Sequence, residues 1–182
     1  MKTKKQIETV TKNERQKYET IWKQRDFSSA VKNRDFFFNC LKNRVYGKVL
    51  EIGCGTKDGL ERMWHFCHYN GCDITLAGTS LLKKETPFFK ECPAWQMPYQ
   101  DKEFDFTFST DVLEHIPPEM IPYTLKEINR VTRRKTIHQI ACKYMAPVNN
   151  FNVHLSVHPI SWWKEQFEKY MTCDYEIFER KL

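Results

Sequence analysis

The chain has 182 residues, of which 41% are hydrophobic and 14% aromatic, and it carries a net charge of +6 at pH 7. This length is typical of one domain with a substantial core. No apolar run approaches the ~18 residues of a membrane span, and the basic N-terminus lacks the apolar centre of a secretory signal. These features predict a cytoplasmic protein with no membrane partner. Residues 1–50 hold 13 Lys/Arg against 5 Asp/Glu, which favours a solvated helical face or a segment that faces an anionic partner.

Cysteine usage predicts reduced thiols. The chain has seven cysteines and no C-x-x-C spacing, a pattern typical of a cytosolic protein. One group has residue types that could bind zinc: His65, Cys67, His68 and Cys72. We interpret these residues as packing and exposed side chains of a helix and the loop after it. No metal site is therefore predicted.

The predicted elements alternate along the chain. Tyr18, Ile21 and Trp22 share one face of an N-terminal helix, and a second helical pattern runs from Val31 to Leu41, with Ser28 or Ser29 as its cap. Strands are predicted at about 48–52, 70–75, 88–92, 104–109, 136–142 and 173–180, and helices at 58–67, 79–85, 118–131 and from 161. This alternation predicts an α/β fold with a doubly wound, mostly parallel sheet and helices on both faces. A ligand should bind at the carboxyl ends of the first, second and fourth strands.

A glycine turn follows the first predicted strand. Gly53-Cys54-Gly55 comes directly after the apolar run 49–52, and such glycines let a ligand approach bare backbone. Asp58 stands where a dinucleotide site has its third glycine, and Glu51 adds a second acid. Acids around the turn suit a ligand with a cationic end, such as an amino acid ammonium. Asp73, twenty residues after Gly53, has the position of an acid that accepts hydrogen bonds from ribose hydroxyls.

Four segments together resemble class I S-adenosylmethionine (SAM)-dependent methyltransferases. They are VLEIGCGT (49–56), GCDIT (71–75), Met97-Pro98-Tyr99 running into EFDFTFSTDVLEHI (103–116), and EINRV (127–131). The resemblance covers roughly residues 45–145 and implies SAM as cofactor and methyl transfer (EC 2.1.1) as activity. It also implies a helical cap at 1–45 over a SAM-binding domain at 46–182. A last antiparallel strand is usual in the family, and no sequence remains for it after 173–180.

The resemblance also implies which residues bind the donor. The methionine moiety would lie on the turn and its acid, the ribose near the end of the second strand, the adenine after the third strand, and the floor at the end of the fourth. In that order, these residues are Glu51, Gly53, Cys54 and Gly55; Asp73 and Ile74; Ala94 and Trp95; and Ser109 and Thr110. Pro93 occupies the place where the family usually has an acid for the adenine amino group.

The acceptor side carries weaker signals. The fourth strand lacks the [Asp/Asn]-Pro-Pro-aromatic motif that grips base amino groups in nucleic-acid methyltransferases, so a nucleic-acid acceptor is disfavoured. His154 and His115 are candidates for a general base or an acceptor contact, followed by His158. We expect methyl transfer to an oxygen or nitrogen of a small molecule, with an anionic acceptor as one option. Two alternatives stay open: a SAM-binding partner module without catalysis, and a methyltransferase of nucleic acid or protein.

Overall fold

The computed structural model describes residues 2–24, 34–81, 85–145, 147–148 and 150–180. Five α-helices are described: α1 (Lys4–Gln24), α2 (Asp35–Leu41), α3 (Asp58–Met63), α4 (Ile121–Val131) and α5 (Ile160–Tyr170). Six strands are described: β1 (Lys48–Ile52), β2 (His68–Asp73), β3 (Phe89–Glu91), β4 (Phe104–Thr110), β5 (Thr132–Ile140) and β6 (Asp174–Glu179).

All six strands belong to one parallel sheet, in the order β3-β2-β1-β4-β5-β6. The prediction of a doubly wound α/β fold is therefore confirmed. The chain proceeds from β1 outward to β3 and then returns to the other side of β1 with β4, so the strand order reverses between β1 and β4. In an open parallel sheet, the crevice outside the carboxyl ends at such a reversal is where ligands bind.

The sheet has a hydrophobic core on each face. Neighbouring strand residues point to opposite faces, so Val49 packs in one core and Leu50 in the other. The Val49 core includes Phe38 and Leu41 of α2, and the Leu50 core includes Trp163 and Phe167 of α5. Helices on both faces thus bury β1 from Val49 to Ile52, which fixes the position of the glycine turn that follows it.

Several boundaries differ from the prediction. The helix predicted at 58–67 ends at Met63, and β5 begins at Thr132, directly after α4. In the helix predicted at 79–85, residues 79–81 are not helical and 82–84 lie outside the described residues. Ser28, Ser29 and Val31 also lie outside them. β6 pairs in parallel with β5 from Asp174 to Glu179, and among the described residues no antiparallel strand joins the sheet.

Helix α1 lies across the carboxyl edge of the sheet. Arg15 Nε donates a hydrogen bond to the carbonyl of Ile74, which directly follows β2, at 3.0 Å. Trp95 Nε1 donates to Thr11 Oγ1 at 3.0 Å. These bonds tie α1 to two loops at the predicted ligand edge. The division of the chain at residue 45 stays a prediction.

Among the described helices, none combines the length and apolar character that crossing a membrane requires.

Candidate functional site

A cavity of about 370 Å³ opens at the carboxyl ends of β1, β2 and β4. Its walls come from α1, the glycine turn, the loops after β2, β3 and β4, and the segment before α5. The lining includes Tyr18, Trp22, Arg34, Gly53, Cys54, Gly55, Asp73, Ile74, Ala94, Trp95, Thr110, Asp111, His115, His154 and Arg180. A cavity of this size that combines apolar walls with a few polar groups is typical of a small-molecule site.

The glycine turn presents bare backbone to this cavity. Gly53 and Gly55 have φ angles of 68° and 60°, in the left-handed region that glycine adopts without strain. A Cβ on Gly53 would lie 2.5 Å from a methyl carbon of Val112, and one on Gly55 would lie 3.0 Å from the Trp22 ring. Val112 and Trp22 can therefore pack against the turn only because side chains are missing there.

Asp73 lies beside the turn and is partly engaged by it. Its Oδ2 accepts a hydrogen bond from the Gly55 N–H at 2.9 Å, and its Oδ1 accepts one from the Thr75 N–H at 3.2 Å. Burial raises the pKa of Asp73 to about 6. Each carboxylate oxygen can accept a further bond, so the side chain can still bind a pair of hydroxyls.

Glu51 does not line the cavity, although its predicted role in binding the methionine moiety would require it to. Its side chain is fully buried and accepts hydrogen bonds from Arg34 and from the Tyr69 hydroxyl. A Cβ on Gly59 would lie 1.8 Å from Glu51 Oε2, so Gly59 makes room for this carboxylate under α3. Glu51 therefore reaches the site only through its ion pair with Arg34.

Arg34 is a site residue that the sequence analysis missed. Arg34 lines the cavity, and its Nε is buried with no hydrogen-bond partner. Although burial alone would lower the pKa of Arg34, the carboxylates of Glu51 and Asp58 raise it. The positively charged Arg34 is thus held at the cavity wall, and its Nε–H is not engaged in a hydrogen bond. No sequence motif marks Arg34; a buried partner far along the chain positions it.

The residues predicted for the adenine and the floor separate into two groups. Ile74, Ala94, Trp95 and Thr110 line the cavity. Ser109 does not: its side chain is fully buried, and its hydroxyl pairs with His138 Nδ1 at 2.6 Å. Residues alternate across a strand, and at the end of β4 the side chain of Ser109 points to the face opposite to that of Thr110. The prediction for Ser109 is therefore corrected.

The wall of the cavity contains two imidazoles in contact. The ring centroids of His115 and His154 are 4.8 Å apart, with an edge-to-face geometry. His115 follows β4 in a 3₁₀ turn, Leu113–His115, which the chain enters through Asp111 at a φ of 56°. The loop before α5 brings His154 to the same place through backbone bonds from Leu155 and Ser156 to the Glu114 carbonyl, both 2.9 Å.

Both imidazoles are held by hydrogen bonds. His154 Nδ1 lies 2.9 Å from the carbonyl of Lys143; because a carbonyl only accepts, this nitrogen carries the proton and Nε2 carries the lone pair. His115 Nδ1 lies 3.0 Å from the Tyr18 hydroxyl of α1. Burial lowers the pKa of His115 to about 3, so this ring is neutral at physiological pH.

Glu114 lies behind the two rings and is fully buried. Its Oε1 accepts a hydrogen bond from the Ala141 N–H at 3.1 Å, whereas its Oε2 is buried without a partner. Burial, together with the nearby Asp111 carboxylate, raises the pKa of Glu114 to about 8. Asp111 itself forms an ion pair with Arg180 at 2.9 Å.

Two other candidates from the sequence, His158 and the group from His65 to Cys72, are not part of this site. His158 stacks on Trp162 at a centroid distance of 3.8 Å and does not line the cavity. All seven cysteines are free thiols. Within the described ranges, Glu114, His115 and His154 form the single group of three side chains whose ligand atoms could share a metal ion; the set from His65 to Cys72 does not form such a group.

Comparisons with known proteins agree with this geometry. A family model described as a methyltransferase domain matches residues 50–140, half of the chain. A comparison with curated proteins found no match.

Solved structures share the fold at low identity. The YcgJ protein of Bacillus subtilis is 17% identical, with a TM-score of 0.59 over 76% of this chain and 67% of its own. The 1,6-didemethyltoxoflavin-N1-methyltransferase of Burkholderia thailandensis, solved with its acceptor and S-adenosylhomocysteine, is 14% identical, with a TM-score of 0.58 over 81% and 68%. The [4+2]-cyclase SpnF is 19% identical, with a TM-score of 0.55 over 75% and 57%.

Such likenesses show the fold alone, and the chain spans between about half and three quarters of the length of the structures that it resembles. The matched family model, the sheet order and the glycine turn at its switch point agree with one another. The chain therefore belongs to the class I SAM-dependent methyltransferase family, and SAM is its cofactor.

Proposed function

We propose that this protein transfers the methyl group of SAM to an oxygen or nitrogen of a small molecule bound in the cavity. One observation carries the proposal: the bare glycine turn and the His115–His154 pair line the same cavity. A donor bound on the turn and an acceptor held at the imidazoles would thus share one enclosed space, and positioning of this kind supplies much of the rate of a two-substrate reaction.

The residues of the cavity fit the donor. Gly53, Cys54 and Gly55 would bind the methionine moiety through backbone, and the spare Nε of Arg34 would bind its carboxylate. Asp73 would accept the ribose hydroxyls. Ile74, Ala94 and Trp95 would pack against the adenine ring. SAM, when bound, supplies a methyl group that is already activated by its attachment to a positively charged sulfur.

At the acceptor end, His154 would contact the reacting group. Its Nδ1 is committed to the Lys143 carbonyl, which leaves the Nε2 lone pair for an acceptor O–H or N–H. An imidazole in this state can take the proton that the acceptor loses. His115 would orient the acceptor beside it, since the Tyr18 hydroxyl holds its ring. The chain thus contributes positioning and a place for one proton.

A small acceptor agrees with the walls of the cavity. Glu14, Tyr18, Ile21 and Trp22 of α1 all line it, so α1 covers the edge that an extended macromolecular substrate would need. Arg180 lines the acceptor end beside Asp111 and retains guanidinium donors for an acidic group on the acceptor. These features support a small molecule, including one with negative charge.

The test is turnover of SAM with a panel of hydroxylated and amino small molecules, measured as acceptor-dependent release of S-adenosylhomocysteine. We expect release with a subset of the panel and none without acceptor. SAM binding by calorimetry without turnover on any member would favour the non-catalytic binding module. Methyl incorporation into RNA or protein at a higher kcat/KM than into any small molecule would contradict the proposal.

A further inference from the structure

We propose that Glu114, His115 and His154 bind a divalent transition-metal ion, such as Mn²⁺, Fe²⁺, Co²⁺ or Zn²⁺, at the acceptor end of the cavity. The inference rests on the proposed function and deepens it, because the ion would hold the acceptor oxygen. It also goes beyond the sequence, which predicts no metal site.

The donor set is the first argument. Glu114, His115 and His154 each offer one ligand atom, and these atoms lie within 4.8 Å of one another. One carboxylate and two imidazoles form a common ligand set of transition-metal sites that keep open positions for substrate. Both imidazoles line the cavity and Glu114 lies behind them. Open positions on an ion held there would face the space proposed for the acceptor.

The second argument is a buried oxygen without a partner. Glu114 is fully buried, and its Oε2 has no hydrogen-bond partner. A buried carboxylate oxygen of this kind is costly unless a donor or a cation lies against it. The neighbouring Asp111 also has an oxygen without a hydrogen-bond partner, Oδ1, but its Oδ2 forms an ion pair with Arg180 at 2.9 Å, whereas no ion pair involves Glu114 among the described residues. A bound cation would supply the partner that Glu114 lacks.

The third argument is the set of bonds around the ligands. Ala141 N–H binds the other oxygen of Glu114 at 3.1 Å, the Lys143 carbonyl holds His154 Nδ1 at 2.9 Å, and the Tyr18 hydroxyl lies 3.0 Å from His115 Nδ1. Outer contacts of this type fix the orientation and tautomer of metal ligands. They leave Oε2 of Glu114 and Nε2 of His154 for the ion, and the nitrogen of His115 that Tyr18 does not contact would be the third ligand.

The ion would act on an acceptor hydroxyl as a Lewis acid. Coordination lowers the pKa of a bound hydroxyl, so its proton leaves to water and the oxygen attacks as an anion. The new bond joins this oxygen to the methyl carbon while the carbon–sulfur bond breaks. The sulfur keeps the electron pair and becomes a neutral thioether, so charge and atoms balance without a redox step. With the ion bound, His154 is a ligand and water takes the proton in its place.

The experiment is a titration of metal-stripped protein with Co²⁺, followed by absorption spectroscopy and calorimetry. We expect one ion per chain, with a spectrum of nitrogen and oxygen ligands and no cobalt–thiolate absorption. The latter matters because Cys54, Cys72 and Cys92 also line the cavity. Mn²⁺ should compete for the same site, since the proposed ligands are carboxylate and imidazole.

Two variants remove ligands with little change of shape. Glu114→Gln keeps the bond from Ala141, and His154→Asn keeps an amide to donate to the Lys143 carbonyl. Each should weaken Co²⁺ binding at least about tenfold. His158→Ala is the matched control, because this histidine lies in the same loop and outside the cavity; it should bind Co²⁺ like the parent.

Three outcomes would overturn the metal site: no uptake, uptake unchanged in both ligand variants, or a thiolate spectrum. SAM calorimetry on the same samples reports folding and keeps the two proposals distinct. Full activity after metal removal would leave methyl transfer standing without an ion. Metal uptake without any acceptor turnover would leave the site standing without the proposed reaction.

Discussion

Two histidines, the buried His138 and the half-buried His115, show how the frame of this protein differs from its site. Burial lowers the pKa of each to about 3. Both ring nitrogens of His138 form hydrogen bonds, one with Ser109 Oγ and one with Thr136 Oγ1, each at 2.6 Å. In the cluster around His115, by contrast, Glu114 Oε2 has no hydrogen-bond partner, and the bond to the Lys143 carbonyl engages only Nδ1 of His154, a residue that lines the cavity. A shifted pKa alone therefore does not distinguish the two groups; they differ in that the cavity cluster retains a carboxyl oxygen without a hydrogen-bond partner.

The difference has its origin in how each group is assembled. The β4–β5 register places Ser109 opposite His138 and Thr107 opposite Thr136. Thr107 extends the chain of hydrogen bonds to Thr136 at 2.6 Å and to Thr132 at 2.8 Å. Regular pairing of two strands thus provides a hydrogen-bond partner for each ring nitrogen of His138. The cavity cluster instead combines the turn after β4 with the loop before α5. No strand pairing therefore provides partners for Glu114 Oε2 or the second nitrogen of His154.

Removing the free nitrogen of the cavity cluster should have the largest effect. His154→Asn should lower kcat/KM by about 10²- to 10⁴-fold, the range for loss of an acid–base group. Measured SAM affinity and thermal stability should stay close to those of the parent, because the bond to Lys143 is preserved. Equal loss of SAM affinity would show that His154 supports the fold or the donor instead.

Removing the imidazole of the frame should give the opposite pattern. His138→Leu leaves the buried Ser109 hydroxyl without its partner, which should cost about 1–3 kcal/mol of unfolding free energy. Urea denaturation measures this change. Activity per folded molecule should change little, since neither residue lines the cavity. Loss of kcat in a folded variant would remove the distinction drawn between the two groups.

Asp73 allows a test by pH at the donor end. Its pKa of about 6 means that the carboxylate is mostly ionised at pH 8 and about one-tenth ionised at pH 5. The ionised form accepts hydrogen bonds better, so SAM affinity should fall as pH drops through 6, by about tenfold between pH 8 and pH 5. Calorimetry across this range measures it. Asp73→Asn should bind more weakly at pH 8 and show a flat profile; a flat profile for the parent would contradict the assignment.

The contact between α1 and the cluster should have the smallest effect. Tyr18→Phe removes the hydrogen bond to His115, a change of about 0.5–1.5 kcal/mol, and should lower kcat/KM by a few-fold to about tenfold. Thr11→Val is the matched control, because it removes the bond from α1 to Trp95 without touching either histidine. Equal losses in both variants would show that docking of α1, and not orientation of His115, is what Tyr18 provides.

The local pattern of the chain was enough to predict the fold and to place the glycine turn and Asp73 at the carboxyl edge of the sheet, where we propose that the donor binds. Alternating strands and helices require a parallel sheet, and Gly53, Gly55 and Asp73 lie where a strand-turn-helix unit must place them. These features depend on neighbours within one unit of the chain, so spacing alone reveals them. The same logic could not place Glu51 or Ser109, because the partners that engage them, Arg34 and His138, come from other parts of the chain.

Tertiary structure determines how the side chains that we propose for the acceptor come together. The sequence marks His115 and His154 as candidates for a general base or an acceptor contact, and it assigns no role to Glu114 or Arg34. Only folding brings the loop before α5 against the turn after β4, and only burial then leaves one carboxylate oxygen without a partner. Sequence spacing indicates which residues share a helix or strand. Which buried polar groups are left without a hydrogen-bond partner depends on how separate elements pack together.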